Sequence, residues 1–235
     1  MSLSSILTEA YYFFRNHLWQ LASFAVPILA IEIGLQLWLG NTIEQMDQQA
    51  PEFNGTQVAV VMTILLLFTL LIAALTLFME LRTAGHQPPA PALIKHSLPY
   101  IPGLLLAGVL SGLAIAAPTM LLSAFGPAVV IGLGISAYLG ARLAYVNFML
   151  VVERLSPLQA IRESFMFSQA FTGKTIAVLL LYLPFMMVES LLASAMPDAP
   201  FIFNLVLKTV IGFFSLYVNV ALFRLYRVNR SLNQA

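Results

Sequence analysis

Val58-Ala59-Val60-Val61-Met62-Thr63-Ile64-Leu65-Leu66-Leu67-Phe68-Thr69-Leu70-Leu71-Ile72-Ala73-Ala74-Leu75-Thr76-Leu77-Phe78-Met79 runs without one charged residue. About 20 such residues in a helix cross the hydrocarbon of a bilayer. The rest of the chain is of the same kind. Of its 235 residues 60% are hydrophobic and 9% charged, with a mean hydropathy of +0.90. A soluble domain carries roughly a quarter charged residues. A chain this poor in charge cannot cover a water-facing surface, so its solvent is lipid.

Outward from that stretch, five more segments are long and apolar enough to span: Leu18–Gly40 before it, then Tyr100–Ser123, Pro127–Val151, Thr175–Ala195 and Phe201–Phe223. The expected fold is all-α, an integral membrane bundle of six transmembrane helices with short interfacial helices, in a single domain over 1–235. The start, 1–17, lacks the basic region, short apolar core and cleavage site of a secretory signal. At 100° per residue, Leu3, Ile6, Leu7, Ala10, Phe13, Phe14 and Leu18 share one face, and Ser4, Ser5, Thr8, Glu9, Tyr12 and Arg15 the other. Such a helix lies in the membrane interface; the other reading is a short tail. A second interfacial helix is expected over 156–172. Similar short stretches precede spans one, three and five (Leu7–Tyr11, Ile94–Leu98, Ile161–Phe165), which suggests three copies of an interfacial helix followed by a helical hairpin.

The charges sort by connection. The loop after span one holds Glu44, Asp47 and Glu52, the loop after span three none, and the loop after span five Asp198. Apart from Arg142 and Lys208 inside spans, every Lys and Arg lies in the other set: Arg15, Arg82, Lys95, Arg154, Arg162, Lys174, Arg224, Arg227 and Arg230. The positive-inside rule therefore predicts cytoplasmic N- and C-termini. The net charge of +1 offers no global field for nucleic acid. Basic segments facing an anionic leaflet make membrane lipids the expected partners, with membrane-protein partners or a homo-oligomer beside them.

Gly132, Ser136 and Gly140 stand four apart in span four, and span three carries Gly108 and Gly112. Small residues at this spacing let helices approach closely in lipid, so spans three and four are expected to pack along both stripes. Pro27, Pro118 and Pro184 fall inside spans and should kink them or free a carbonyl.

Four charges fall within spans: Glu32, Arg142, Glu189 and Lys208. Intramembrane charges are functional candidates by default. Glu189 and Lys208 flank the last outer turn symmetrically, which puts them at one depth. A mutual salt bridge or snorkelling accounts for them structurally, and Glu32 is placed to join them as a polar cluster. Arg142, near the inner end of span four, reads as an interfacial anchor reaching the headgroups, or as a substrate ligand.

Catalytic chemistry finds no footing. The absence of cysteine excludes disulfides, thiolate metal sites and cysteine nucleophiles. His17, His86 and His96 form no His-Glu-x-x-His pair, and neither a Gly-x-Ser-x-Gly elbow nor a P-loop occurs. No enzyme activity, metal or cofactor is expected. The first expectation is a non-enzymatic membrane protein supporting envelope or lipid homeostasis. The second is a small transporter or channel using Glu32, Glu189 and Lys208, marked by a polar cavity between spans one, five and six.

The run Val151-Val152-Glu153-Arg154-Leu155-Ser156-Pro157-Leu158-Gln159-Ala160-Ile161-Arg162-Glu163-Ser164 closes span four and opens the helix before span five. With Phe13-Phe14-Arg15-Asn16 and Leu222-Phe223-Arg224-Leu225-Tyr226, it resembles the YciC-like family of bacterial inner-membrane proteins. The motif around Ser156–Ser164 also looks like the membrane region attached to some bacterial glycerophosphodiester phosphodiesterases, whose catalytic domain has no room here. The resemblance implies a six-helix protein of the bacterial inner membrane, and it supplies no catalytic residues.

Overall fold

The computed structural model describes residues 2–45, 54–196 and 199–233. Asp47, Glu52 and Asp198, counted above among the acidic connections, lie outside them. Among the described residues every regular element is helical: α1 (Leu3–Asn16), α2 (Leu18–Glu44), α3 (Gly55–Thr83), α4 (Ala90–Ser97), α5 (Ile101–Ser123), α6 (Val129–Leu143), α7 (Val146–Val152), α8 (Pro157–Phe167), α9 (Thr172–Leu179), α10 (Tyr182–Ala195) and α11 (Phe201–Asn233), with short 3-10 turns between some of them. Six helical stretches are long and apolar enough to cross a membrane. The chain is a multi-pass membrane protein.

Local sequence starts these helices where the backbone needs partners. The Ser2 hydroxyl accepts the Ser5 N–H (3.2 Å) at the head of α1. At α3 the Asn54 side chain accepts the N–H groups of Thr56 and Gln57, and the Gln57 side chain accepts the Asn54 N–H (2.7 Å). Side chains thus satisfy orphan donors of the first turn. Pro157 opens α8, where its missing N–H costs nothing. The stretches Ala90–Ser123 and Pro157–Ala195 run to 34 and 39 residues, well beyond the roughly 20 a crossing requires. The surplus is α4 and α8, short helices that precede spans three and five as α1 precedes span one.

The buried side chains gather at the end of the bundle carrying both termini, among them Ile6, Leu21, Phe78, Tyr145, Phe223 and Tyr226. Toward the opposite end the helices expose large apolar side chains: Leu121 near the end of α5 and Phe125 in the turn after it are each 70% exposed, and Ile202 at the start of α11 is 72% exposed. An apolar exposure of this extent is stable only against hydrocarbon.

The face of α1 is the one expected, but its apolar side is not spent on lipid. Ile6, Ala10, Phe13 and Phe14 are buried in the bundle. Phe14 packs on Phe213 and Tyr217 of α11, Arg224 lies over the Phe13 ring, and the Tyr217 hydroxyl donates to the Leu7 carbonyl. What α1 offers outward is Tyr11 and Tyr12, amphipathic rings of the kind enriched at membrane–water interfaces.

The glycine pairing between spans three and four needs correction. The two spans do meet closely, at Gly132: a Cβ there would stand 2.8 Å from the Pro118 carbonyl oxygen and 2.9 Å from Thr119 Cα. One turn on, the hydroxyls of Thr119 and Ser136 are hydrogen-bonded (2.7 Å). Gly108, Gly112 and Gly140, however, touch nothing across the hairpin. The stripe on span three turns toward α3 instead, and Gly126, with φ of +59°, makes the tight turn between the two spans.

Of the three intramembrane prolines, Pro27 and Pro118 sit in unbroken helices. Pro184 breaks its span: α9 ends at Leu179 and α10 begins at Tyr182, the break falling at the carbonyl four residues before the ring, where the clash is expected.

Candidate functional site

Span four has a break that no proline announces. Between α6 and α7 the chain turns at Ala144 and Tyr145. In a continuous helix the Val146 N–H would hold the Arg142 carbonyl. Here the Ser164 hydroxyl donates to that carbonyl (2.9 Å) while its oxygen accepts the Tyr145 N–H (3.3 Å), and the Ser168 hydroxyl shares its one hydrogen between that carbonyl (3.1 Å) and the Ser164 carbonyl (2.8 Å). Both serines are fully buried, one on α8 and one in the turn that follows it. Irregular backbone at membrane depth is tolerated where protein satisfies it.

Arg142 belongs to this knot. It is 6% exposed, so it does not reach out to the headgroups as the anchor reading expected. Its guanidinium donates to the Phe165 carbonyl and to the Tyr138 hydroxyl (3.1 Å), and lies over the Phe165 ring, 4.2 Å from the centroid. It ties span four to α8. Beneath it the Tyr145 hydroxyl pairs with Thr175 (2.7 Å), and its ring packs among Phe148, Phe167, Phe171 and Tyr226. The far side of that cluster is closed by Glu153, which accepts from the Tyr226 hydroxyl and from Arg230. Arg227 pairs with Glu80 at 3.2 Å. Two of the basic residues counted in the charge sorting are therefore also clamps between α11 and spans two and four.

Glu189 and Lys208 meet across the last hairpin at 2.7 Å. Glu32 does not join them. It is buried, and one of its oxygens accepts the Gln36 side chain (3.2 Å) while the other has no partner. Gln36 in turn faces a cavity of about 200 Å³ that it shares with Tyr182, Glu189, Lys208 and Ser215. The carboxylate of span one thus stands behind Gln36, at the edge of a polar pocket between spans one, five and six.

The largest departure from the sequence reading lies on the other side of the bundle. A groove of about 430 Å³ runs between α3 and α5, walled by Leu65, Phe68, Ile72, Leu104, Leu105 and Leu113 and floored by Gly108 and Gly112. Nothing lies within 4 Å of where either glycine's Cβ would be. Its lining is almost wholly apolar, with Thr69 and Asn147 the polar exceptions. Glycine spacing was legible in the sequence. Which neighbour the glycines faced was not, because the same spacing serves a helix contact and an open channel equally.

Comparison with family models, with curated proteins and with solved structures finds no match to this chain.

Proposed function

We propose that this protein is a non-enzymatic phospholipid-binding protein of the bacterial inner membrane, with both termini cytoplasmic, that supports envelope lipid homeostasis. The observation that carries the reading is the glycine-floored groove between spans two and three. Its volume lies within the roughly 300–1,000 Å³ of small-molecule sites, its walls are aliphatic, and it runs along the helices, as an acyl chain does. In lipid, a groove between helices gains nothing from expelling water. It is filled by whatever chain packs best, so a shaped groove selects by van der Waals fit. The resemblance to the YciC-like family supplies the inner-membrane placement. The charge sorting supplies the orientation.

The test is a phospholipid with a photoreactive group in one acyl chain, incorporated into membranes holding the protein. After illumination and digestion, adducts should concentrate on 65–72 and 104–113. They should fall severalfold when Gly112→Leu fills the floor. Adducts spread evenly over all outward faces would defeat the reading.

A second reading has one observation in its favour, the polar cavity between spans one, five and six. A small transporter or channel would use Glu189, Lys208 and Gln36, with Glu32 behind them. In that case a cysteine placed at Ser215, in a chain that has none of its own, would react with a membrane-impermeant thiol reagent. The lipid-binding reading expects that cysteine to stay unlabelled.

A further inference from the structure

Beyond Leu104 a second hollow opens. One turn nearer the terminal end, the same three spans wall this wider space of about 750 Å³, lined by Leu77 and Leu81 of span two, Tyr100 and Gly103 of span three, and Leu150 of span four. Gly103 is next to Leu104 in the chain, and Leu150 is one turn from Asn147, so the hollows are neighbours along the same spans, with the Leu150 side chain resting on Gly103 (3.5 Å from where its Cβ would be) where they adjoin. The wider one differs in its rim, where Lys95, His96 and Arg154 stand. Among the described residues neither Lys95 nor Arg154 forms an ion pair, whereas Arg227 and Arg230 do. Taken together the two have the polarity of an amphiphile: basic at the headgroup level, aliphatic below, with glycines at 108 and 112 leaving room for a chain.

Arg154 carries an independent mark. Its φ is +54°, the one positive value at a non-glycine residue among those described. It is the first residue past the Glu153 cap of α7, where glycine is the ordinary occupant. Backbone held in a disfavoured region tends to collect at binding sites. Here it holds an unpaired guanidinium at the rim of the wider hollow.

We infer that these two neighbouring hollows seat one anionic phospholipid of the leaflet at the terminal end, its headgroup phosphate on Lys95 and Arg154 in the wider one and one acyl chain over Gly108 and Gly112 in the other. The inference rests on the lipid-binding reading and adds headgroup selectivity to it. An arginine supplies a planar fork of donors suited to phosphate, and a lysine adds a point charge. A zwitterionic headgroup carries its own cation and gains less from both.

Native mass spectrometry of the purified protein, offered equal amounts of phosphatidylglycerol and phosphatidylcholine, tests it. The wild-type protein should retain the anionic lipid preferentially, and the preference should shrink as salt is raised. Lys95→Gln and Arg154→Gly should each lower the ratio by about fivefold, the worth of one cation near an anionic headgroup, and the double variant should bring it near parity. Arg154→Gly relieves the left-handed strain, so its melting temperature should equal or exceed that of the wild type. Lost selectivity in that variant cannot then be lost folding. A wild-type ratio near one, or a ratio unchanged in the double variant, overturns the inference and leaves lipid binding standing. Displacement of phosphatidylglycerol by equimolar inorganic phosphate would overturn it too, by making free phosphate the ligand. If Gly108→Leu and Gly112→Leu leave total lipid retention unchanged, the lipid-binding reading itself fails.

Discussion

Gly132 brings span four against the backbone of span three, and it tolerates no side chain. A methyl there would press on backbone atoms of Pro118 and Thr119 at under 3 Å, and backbone cannot rotate away. Gly132→Ala should therefore destabilise the protein by about 1–3 kcal/mol, as overpacking does. Gly140→Ala, which meets open space, should leave it unchanged. Thermal melting in detergent separates the two, and equal melting temperatures would refute the packing. The Glu189–Lys208 pair calls for a cycle. An unpaired charge near the bilayer centre costs about 2.5–3.5 kcal/mol, and less off-centre. Glu189→Gln and Lys208→Met should each destabilise, while the double variant should lie closer to wild type than the sum of the two losses. Simple additivity in the melting data would mean that the 2.7 Å contact contributes no coupling. Depth counting along two helices was enough to anticipate this pair, because both residues lie on one hairpin. The same counting could not seat Glu32, since span one meets the hairpin only through the tertiary packing that puts Gln36 between them.

At the level of elements, the informative feature is the interruption of span four. Its sequence from Val129 to Val152 reads as one apolar helix, and no proline or glycine marks Ala144–Tyr145. The break exists because Ser164 and Ser168, some twenty residues later, take the Arg142 carbonyl and the Tyr145 N–H. Each serine alone looks like a polar residue on an amphipathic helix. Removing both by Ser164→Ala and Ser168→Ala leaves buried backbone groups without partners, at a cost of about 1–3 kcal/mol for each. Ser168→Ala alone should be mild, because the Ser164 hydroxyl still donates to the carbonyl. Hydrogen exchange at 144–146 should rise sharply in the double variant and little in the single one. Equal exchange in all three proteins would show that the hydroxyls do not hold the break. The Pro184 break is a different case: it falls at the carbonyl four residues before the ring, where the clash arises, although Pro27 and Pro118 leave their helices unbroken.

Over the whole molecule, six crossings and the sorting of charge make one prediction. Reporter fusions at Gln87, Gln159 and Ala235 should report the cytoplasm, and a fusion at Gln49 the opposite side. A cytoplasmic signal at Gln49 would sink the orientation. Composition and span length were sufficient for the membrane, the helices and their number, because a helix needs about 20 mostly apolar residues to cross the hydrocarbon and such stretches stand out in the sequence. The amphipathic face of α1 was equally local. What only the tertiary structure decided is where each face is spent. The apolar side of α1 goes to α11 instead of lipid, Arg142 to a buried knot instead of the headgroups, and Gly108 and Gly112 to an open groove instead of span four. The physical reason is that lipid tails are as apolar as leucine. In water, burying an apolar face is favoured over exposing it, so hydrophobic pattern points to the core. In a bilayer the two are nearly equivalent. The choice then falls to close packing and to polar partners far apart in sequence, which only the assembled bundle brings together.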